Sequence, residues 1–186
     1  KVLKTMVVKA KDSEAHIYLV DDDELLNKIL LTKFQQNTNH KVFTFTSGND
    51  FINYYQSQQK NNNKTIHILI IDYMLNPGVP VHAAKTGIDY IKEAKAINPE
   101  INTILISAID NPEIDILAQK EGVNAFIKKN ENAFLRINNQ INFIISEIKL
   151  KKSHKKSLLT RQVFVTLLIM FSLLIAYIAL TEFILS

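Results

Sequence analysis

The sequence has no cysteine and no tryptophan, and it has only four glycines and four prolines among 186 residues. Without cysteine the chain forms no disulfide, no thiolate metal site and no cysteine nucleophile, which suits a reducing compartment. The scarcity of glycine and proline argues against a collagen-like or Pro-rich disordered chain. Outside an apolar C-terminal stretch about 150 residues remain, enough for one domain with a full core.

Positive charge is unevenly distributed. Residues 149–186 contain six basic residues and one acidic residue, so this segment carries a formal charge of +5 and the first 148 residues carry −1. We therefore expect no nucleic-acid-binding face on the domain. The first residue is lysine, so the chain is a fragment or translation begins elsewhere, for example at Met6. Residues 1–14 are expected to be an N-terminal leader, and because they lack an apolar stretch, no signal peptide is expected there.

Short apolar runs alternate with amphipathic stretches along residues 15–150. Strands are expected at 17–20, 41–46, 66–71, 103–107 and 124–127, and helices at 24–36, 51–59, 87–97, 112–121 and 132–150. This order predicts an α/β fold: a doubly wound, parallel five-stranded sheet of (βα)5 type, covered by helices on both faces. Gly122 is expected just after the fourth helix, where glycine commonly ends a helix.

Acidic, hydroxyl and basic side chains follow four of the predicted strands. They are Asp21, Asp22, Asp23, Asp72, Ser107, Lys128 and Lys129. Ligands of parallel sheets bind at the carboxyl ends of the strands, so these groups are expected to meet. Clustered carboxylates repel one another unless a cation intervenes, and oxygen ligands suit Mg²⁺. A carboxylate also serves as a nucleophile toward phosphorus. A single Asp after a strand is more often a helix cap, the role expected for Asp23.

Four stretches in this order, IYLVDDDELL, ILIIDYML, TILISA and FIKKN, resemble the receiver domain of two-component response regulators. The resemblance covers about residues 15–150. It implies that Asp72 is the phosphoacceptor. It also implies that Asp21 and Asp22 bind Mg²⁺ together with Asp72 and the backbone carbonyl of Met74.

The resemblance also assigns the remaining pocket residues. Ser107 would contact the phosphoryl group, Lys129 would pair with the acceptor, and Ser107 and Phe126 would be the switch positions. Neighbouring strand residues point to opposite sides, so only one of Lys128 and Lys129 reaches the pocket. The sequence departs from the family in three places: Asn130 replaces the usual proline, Phe126 replaces tyrosine, and the loop 76–86 is long.

None of these departures removes a catalytic group, so we expect a phosphorylatable receiver rather than a turnover enzyme. By the resemblance, its partner is a histidine kinase or a histidine phosphotransfer protein. One alternative is a receiver-fold module that binds a protein partner without phosphorylation, which Asn130 and Phe126 favour. Another is a phosphatase with an Asp nucleophile, but Met74 stands where such enzymes place a second Asp. The five histidines show no ligand spacing; His67 is expected to pack in a strand and His82 to lie in a solvated loop.

An apolar segment, residues 163–185, ends the sequence. Its 23 residues reach about 34 Å as a helix, enough to cross a hydrocarbon core of about 30 Å. We expect a single-pass transmembrane helix after a basic juxtamembrane linker, residues 151–162. Basic clusters stay cytoplasmic, so the receiver domain is expected on the cytoplasmic face of a bacterial inner membrane, with the lipid bilayer as a partner. The alternative is a buried helix or one that binds a protein partner.

Overall fold

The computed structural model describes residues 15–37, 40–58, 65–75 and 85–185, and within 155–161 and 173–185 it describes the backbone alone. The chain divides into two units, Lys1–Ile145 and Ser146–Ser186. The expected leader 1–14 and most of the long loop 76–86, including His82, lie outside the described residues.

Five strands and five helices alternate along the described chain. They are β1 (Ala15–Val20), α1 (Glu24–Asn37), β2 (Lys41–Phe45), α2 (Gly48–Gln58), β3 (Ile66–Asp72), α3 (Gly87–Ile97), β4 (Asn102–Ser107), α4 (Pro112–Lys120), β5 (Ala125–Lys128) and α5 (Ala133–Leu185). The strands form one sheet in the order β2-β1-β3-β4-β5, and every neighbouring pair is parallel. The predicted five-stranded parallel α/β fold is therefore confirmed.

The strand order reverses between β1 and β3, which are adjacent although β2 lies between them in sequence. In doubly wound sheets the ligand crevice lies at the carboxyl ends of the strands beside such a reversal. Here β1 ends at Val20 and β3 ends at Asp72, and both strands are flanked on either side by others. The reversal therefore places the acidic residues after β1 beside the acid that ends β3.

Both faces of the central strands are buried, which explains why their sequences are apolar throughout instead of alternating. On one face, Tyr18 and Leu69 belong to a core cluster that also includes residues of α2, α3 and α4. Ile68 is equally buried and points to the other face by strand alternation. Phe34 of α1 contacts Phe134 of α5 at 5.2 Å between ring centroids. This two-sided burial fixes the strand ends from which the polar side chains project.

Two predicted helix boundaries are confirmed. Asp23 precedes α1, and its Oδ1 accepts hydrogen bonds from the backbone N–H groups of Leu25 and Leu26 at 2.9 and 3.0 Å. Gly122 follows α4 with φ of +68°, a left-handed conformation that glycine adopts without strain.

The second unit is helical and belongs to α5. The basic segment 151–162, expected as a linker, is part of this helix, in keeping with its lack of glycine and proline. Thr166 and Ser172 donate their hydroxyl hydrogens to the carbonyls of Val163 and Ile169, both at 2.8 Å. These polar side chains are thus satisfied within their own helix, as expected.

Apolar side chains from Val163 to Phe171 are largely exposed. Among the residues whose side chains are described, no helix combines the length and hydropathy needed for a membrane span. The predicted span 163–185 includes residues 173–185, whose side chains lie outside the described part, so the span stays a prediction.

Candidate functional site

Asp72 occupies the carboxyl end of the central strand β3. It pairs in register with Ile106, and the next N–H, of Tyr73, donates to the Ile106 carbonyl at 2.8 Å. The ladder therefore holds the backbone on both sides of the acid, and the residue is only 7% exposed. The Asp72 carboxylate is therefore attached to a fixed backbone and is largely shielded from solvent.

Asp21 and Asp22 directly follow β1, next to β3 in the sheet. Asp21 is 2% exposed, and its Oδ1 accepts the backbone N–H of Asp23 at 3.0 Å. Asp22 is more exposed. One carboxylate oxygen from each of Asp21, Asp22 and Asp72 lies within 4.8 Å of the others, so the structure brings the three predicted acids together.

Lys129 lies between two of these acids. Its Nζ is 2.7 Å from Oδ2 of Asp21 and 2.9 Å from Oδ2 of Asp72. The side chain of Lys128 instead pairs with Asp110, which is exposed. The alternation expected at the end of β5 thus sends one lysine into the pocket and the other to the surface.

Three hydrogen bonds hold the chain on either side of Asn130, and the one that uses its side chain would be lost with a proline there. The N–H of Lys129 donates to the Ser107 carbonyl at 2.7 Å, which extends the β4–β5 pairing by one residue. Asn130 then accepts the N–H of Asn132 at its Oδ1, 3.1 Å, and the N–H of Ala133 at its carbonyl, 2.9 Å. Asn130 therefore supports the turn into α5, and Lys129 reaches the pocket with asparagine after it.

The other predicted pocket residues lie on neighbouring strand ends. Ser107 ends β4, is 1% exposed, and its Oγ accepts the N–H of Ile109 at 3.0 Å. Phe126 pairs in register with Leu105 and packs, partly buried, against the core cluster. Met74 lies two residues after Asp72, beyond the end of β3.

Burial and charge act in opposite directions on the central carboxylate. Burial raises the pKa of Asp72 to about 6, Lys129 opposes this rise, and the charges of Asp21 and Asp22 add to it. Burial lowers the pKa of Lys129, but its contacts with Asp21 and Asp72 outweigh burial, so the net pKa is raised. The pocket thus holds a permanent ammonium beside a carboxylate that is ionised above about pH 6.

Comparison with known proteins decides the family. The model of the response regulator receiver domain family matches residues 17–141. The chain belongs to the response regulator receiver family. The matched range covers most of β1, all of β2 to β5 and the four strand ends that form the pocket of this receiver domain.

Individual relatives agree with this placement. The receiver is 34% identical to the transcriptional regulatory protein CssR of Bacillus subtilis over 113 residues, 61% of this chain and 44% of CssR. The chain therefore spans less than half the length of that relative. It is also similar to a CheY-like receiver domain protein of Methanospirillum hungatei, with a TM-score of 0.60, 16% identity and coverage of 75% and 99%. Response regulator DrrB of Thermotoga maritima matches with a TM-score of 0.54, 24% identity and coverage of 72% and 54%. At these identities the two structures show the fold alone.

The acidic residues of the pocket fit a magnesium ion. Asp21, Asp22 and Asp72 supply only oxygen, the ligand type that Mg²⁺ prefers, and their oxygens are close enough to share one ion. The negative charge of three ionised carboxylates would also exceed the single positive charge of Lys129. The rise in the pKa of Asp72, caused first by burial, shows that one ammonium does not offset the cost of the buried charge.

Two residues that position this site were not predicted from the sequence. Asn27 is buried and donates its amide hydrogens to the carbonyls of Asp21 and Phe45. Gly87 begins α3 against the backbone of Asp72: a Cβ added there would lie 2.2 Å from the Asp72 carbonyl oxygen. The signal for Asn27 was a polar residue at a helical spacing otherwise filled by Leu30 and Phe34, which face inward. Gly87 carried no comparable signal.

Proposed function

We propose that this receiver accepts a phosphoryl group on Asp72 in a two-component phosphorelay. The observation that carries the proposal is the contact of Lys129 with both Asp21 and Asp72 among buried strand ends. A fixed, ionised carboxylate beside an ammonium and a hydroxyl is what transfer from a phosphohistidine requires.

The transfer would use the residues as follows. An ionised oxygen of Asp72 attacks phosphorus, the P–N bond breaks, and the donor imidazole keeps the electron pair and takes up a proton. Lys129 stays near the carboxylate and pairs with the phosphoryl oxygens. The Oγ of Ser107, which accepts from Ile109, retains its hydrogen for donation to the phosphoryl group.

Mg²⁺, when bound, supplies neutralisation of charge on the phosphoryl oxygens. Asp21, Asp22, Asp72 and the carbonyl of Met74 are the groups that would hold it. The protein catalyses modification of its own aspartate, so it is not a turnover enzyme. The donor would be a histidine kinase or a histidine phosphotransfer protein.

The test is phosphorylation of the full chain by acetyl phosphate, with Mg²⁺ or with EDTA. We expect label on the wild type only with Mg²⁺, and none on Asp72→Asn. Asp110→Asn is the matched control, because it removes an exposed acid outside the carboxylate cluster, and it should label like the wild type. An unlabelled wild type, or equal label on Asp72→Asn, would contradict the proposal. Partner binding that survives in Asp72→Asn would favour the phosphorylation-independent module.

We also propose that residues 163–185 form a single membrane span that holds the receiver at the cytoplasmic face of a bacterial inner membrane. Support comes from the uncharged run 163–180, the exposed apolar side chains from Val163 to Phe171 and the +5 charge of residues 149–186. The full chain should remain in the membrane fraction after alkaline extraction, whereas a chain ending at residue 162 should be released. Release of both chains would refute the tether.

The proposed partners are thus the phosphodonor protein and the lipid bilayer, without a nucleic acid. The formal charge of −1 on the first 148 residues supports the last point, since DNA-binding faces are basic. The named relative CssR is a transcriptional regulator, but this chain covers only 44% of it. In a gel-shift titration with duplex DNA, the full chain should cause no sequence-selective retardation. Sequence-selective retardation would overturn the proposal.

A further inference from the structure

Asn27 is a polar residue on the buried side of α1. It is 4% exposed, and it lies at helical spacing from the buried Leu30 and Phe34, while Leu25 and Ile29 on the same helix are exposed. The beginning of the helix does not require its side chain, because Asp23 already caps α1 and accepts the N–H of Asn27 at 3.0 Å. Another reason is needed for a buried amide at this position.

The amide of Asn27 bridges the ends of two strands. Its Nδ2 donates to the carbonyl of Asp21 at 2.7 Å and to the carbonyl of Phe45 at 3.1 Å. The carbonyl of Phe45 also accepts the N–H of Asp21 at 3.1 Å. Carbonyl oxygens only accept, so the amino end of the side chain must face them. Asp21 is therefore held at both its N–H and its carbonyl.

Holding the Asp21 peptide fixes the direction of two acids. Its carbonyl belongs to the peptide group that leads into Asp22, so a rotation there would turn both side chains. The Asp21 carboxylate meets Asp23 and Lys129 at 3.0 and 2.7 Å, and it shares the 4.8 Å cluster with Asp22 and Asp72. Side chains that orient metal ligands change metal affinity about 10- to 100-fold when they are replaced.

We infer that Asn27 is a positioning residue that pre-sets Asp21 and Asp22 for a divalent cation, acting through the Asp21 backbone without touching the ion. The inference rests on the proposed function, because it takes the acid cluster to be the magnesium site. Its cost is visible in the fold: the Oδ1 of Asn27 is buried and has no hydrogen-bond partner among the described residues. A leucine would avoid that cost and match the inward face of α1, but it would release the Asp21 carbonyl.

The test is calorimetric titration of Mg²⁺ into the full chain, solubilised in a non-ionic detergent, with urea unfolding of each variant measured beside it. Asn27→Leu keeps the branched shape of the side chain, although its methyl groups occupy more volume, and it should weaken Mg²⁺ binding about 10-fold. The matched control is Asn98→Ala. It removes another hydrogen bond donated by a side-chain amide, from Nδ2 of Asn98 to the Tyr55 hydroxyl at 3.0 Å, away from the acids. It should lower stability and leave the Mg²⁺ dissociation constant unchanged.

Each outcome decides the inference. Mg²⁺ binding of wild-type strength in Asn27→Leu would overturn it, as would an equal loss of affinity in Asn98→Ala. If Asn27→Leu does not fold, Asn27→Ser is titrated instead; failure of both to fold would show a role in folding and overturn the inference.

The same titration separates this inference from the proposed function. A wild type that binds no Mg²⁺ would contradict both the inference on Asn27 and the proposed function. If the wild type binds Mg²⁺ and Asn27→Leu binds it more weakly as expected, but Asp72 takes no label, only the role of Asp72 as phosphoacceptor would be contradicted.

Discussion

Replacing Lys129 with methionine removes the only ammonium that the described residues place between Asp21 and Asp72. Methionine keeps most of the length and the apolar stem, so the main change is the charge. The side chains of Asp21 and Asp72, taken without their backbones, are 2% and 10% exposed, and their cluster spans at most 4.8 Å. At an effective dielectric constant of about 20, their repulsion at that distance is about 3.5 kcal/mol.

Protonation of Asp72 offers a cheaper escape. Its pKa is already raised to about 6, first by burial. At pH 7.5, which is about 1.5 units above this pKa, keeping Asp72 protonated costs about 2 kcal/mol relative to the ionised wild type, at 1.36 kcal/mol per pH unit. We expect Lys129→Met to lose about 2 kcal/mol of unfolding free energy at pH 7.5. Because a raised folded-state pKa favours folding at low pH, the loss should shrink as the pH falls through about 6.

The assay is urea unfolding in EDTA, followed by circular dichroism, at pH 7.5 and at pH 5.5. Lys128→Met is the matched control, because it breaks an exposed ion pair with Asp110 and should cost less than about 1 kcal/mol at either pH. Wild-type stability of Lys129→Met at pH 7.5 would refute the reasoning. A loss that does not shrink at the lower pH would refute it too.

Two further substitutions test the packing around the sheet. Burial first, then the charges of His67 and Lys41, lower the pKa of His16 to about 4. As the pH falls below about 6.5, His16 therefore binds a proton in the unfolded chain but not in the folded one, which destabilises the folded state. His16→Gln should remove about 1–2 kcal/mol of acid destabilisation in urea titrations, after allowance for partial exposure, and equal pH slopes for the variant and the wild type would contradict this. Gly87→Ala should lower stability by about 1–3 kcal/mol, because its Cβ would lie 2.2 Å from the carbonyl oxygen of Asp72, and an unchanged melting temperature in calorimetry would contradict that contact.

The parts of the fold that could be predicted are those with a local signal. The continuous apolar runs at 17–20 and 66–71 indicated buried parallel strands, and the structure has β1 and β3 there. The rule that ligands bind at the carboxyl ends of parallel strands then predicted that the acids following these two strands meet. Asp23 was predictable as a cap because it directly precedes a helical pattern. The order β2-β1-β3-β4-β5 has no local signal, because it depends on crossovers between distant segments.

What could not be predicted depends on contacts between distant residues. The amide of Asn27 binds a carbonyl 18 residues away, at Phe45, and no spacing rule connects the two. Gly87 is required by the backbone of Asp72, which lies across the loop 76–86 in sequence. The pairing of Lys128 with Asp110 likewise joins β5 to the loop after β4.

The proposed function depends on Asp72 carrying the phosphoryl group. The most direct measurement is borohydride reduction of the acetyl phosphate-treated full chain, followed by peptide mass spectrometry, since reduction converts a phosphorylated aspartate to homoserine. We expect homoserine at position 72 in the wild type with Mg²⁺, and an unmodified aspartate there in EDTA. Homoserine at position 21, 22 or 110 with aspartate intact at 72 would contradict it.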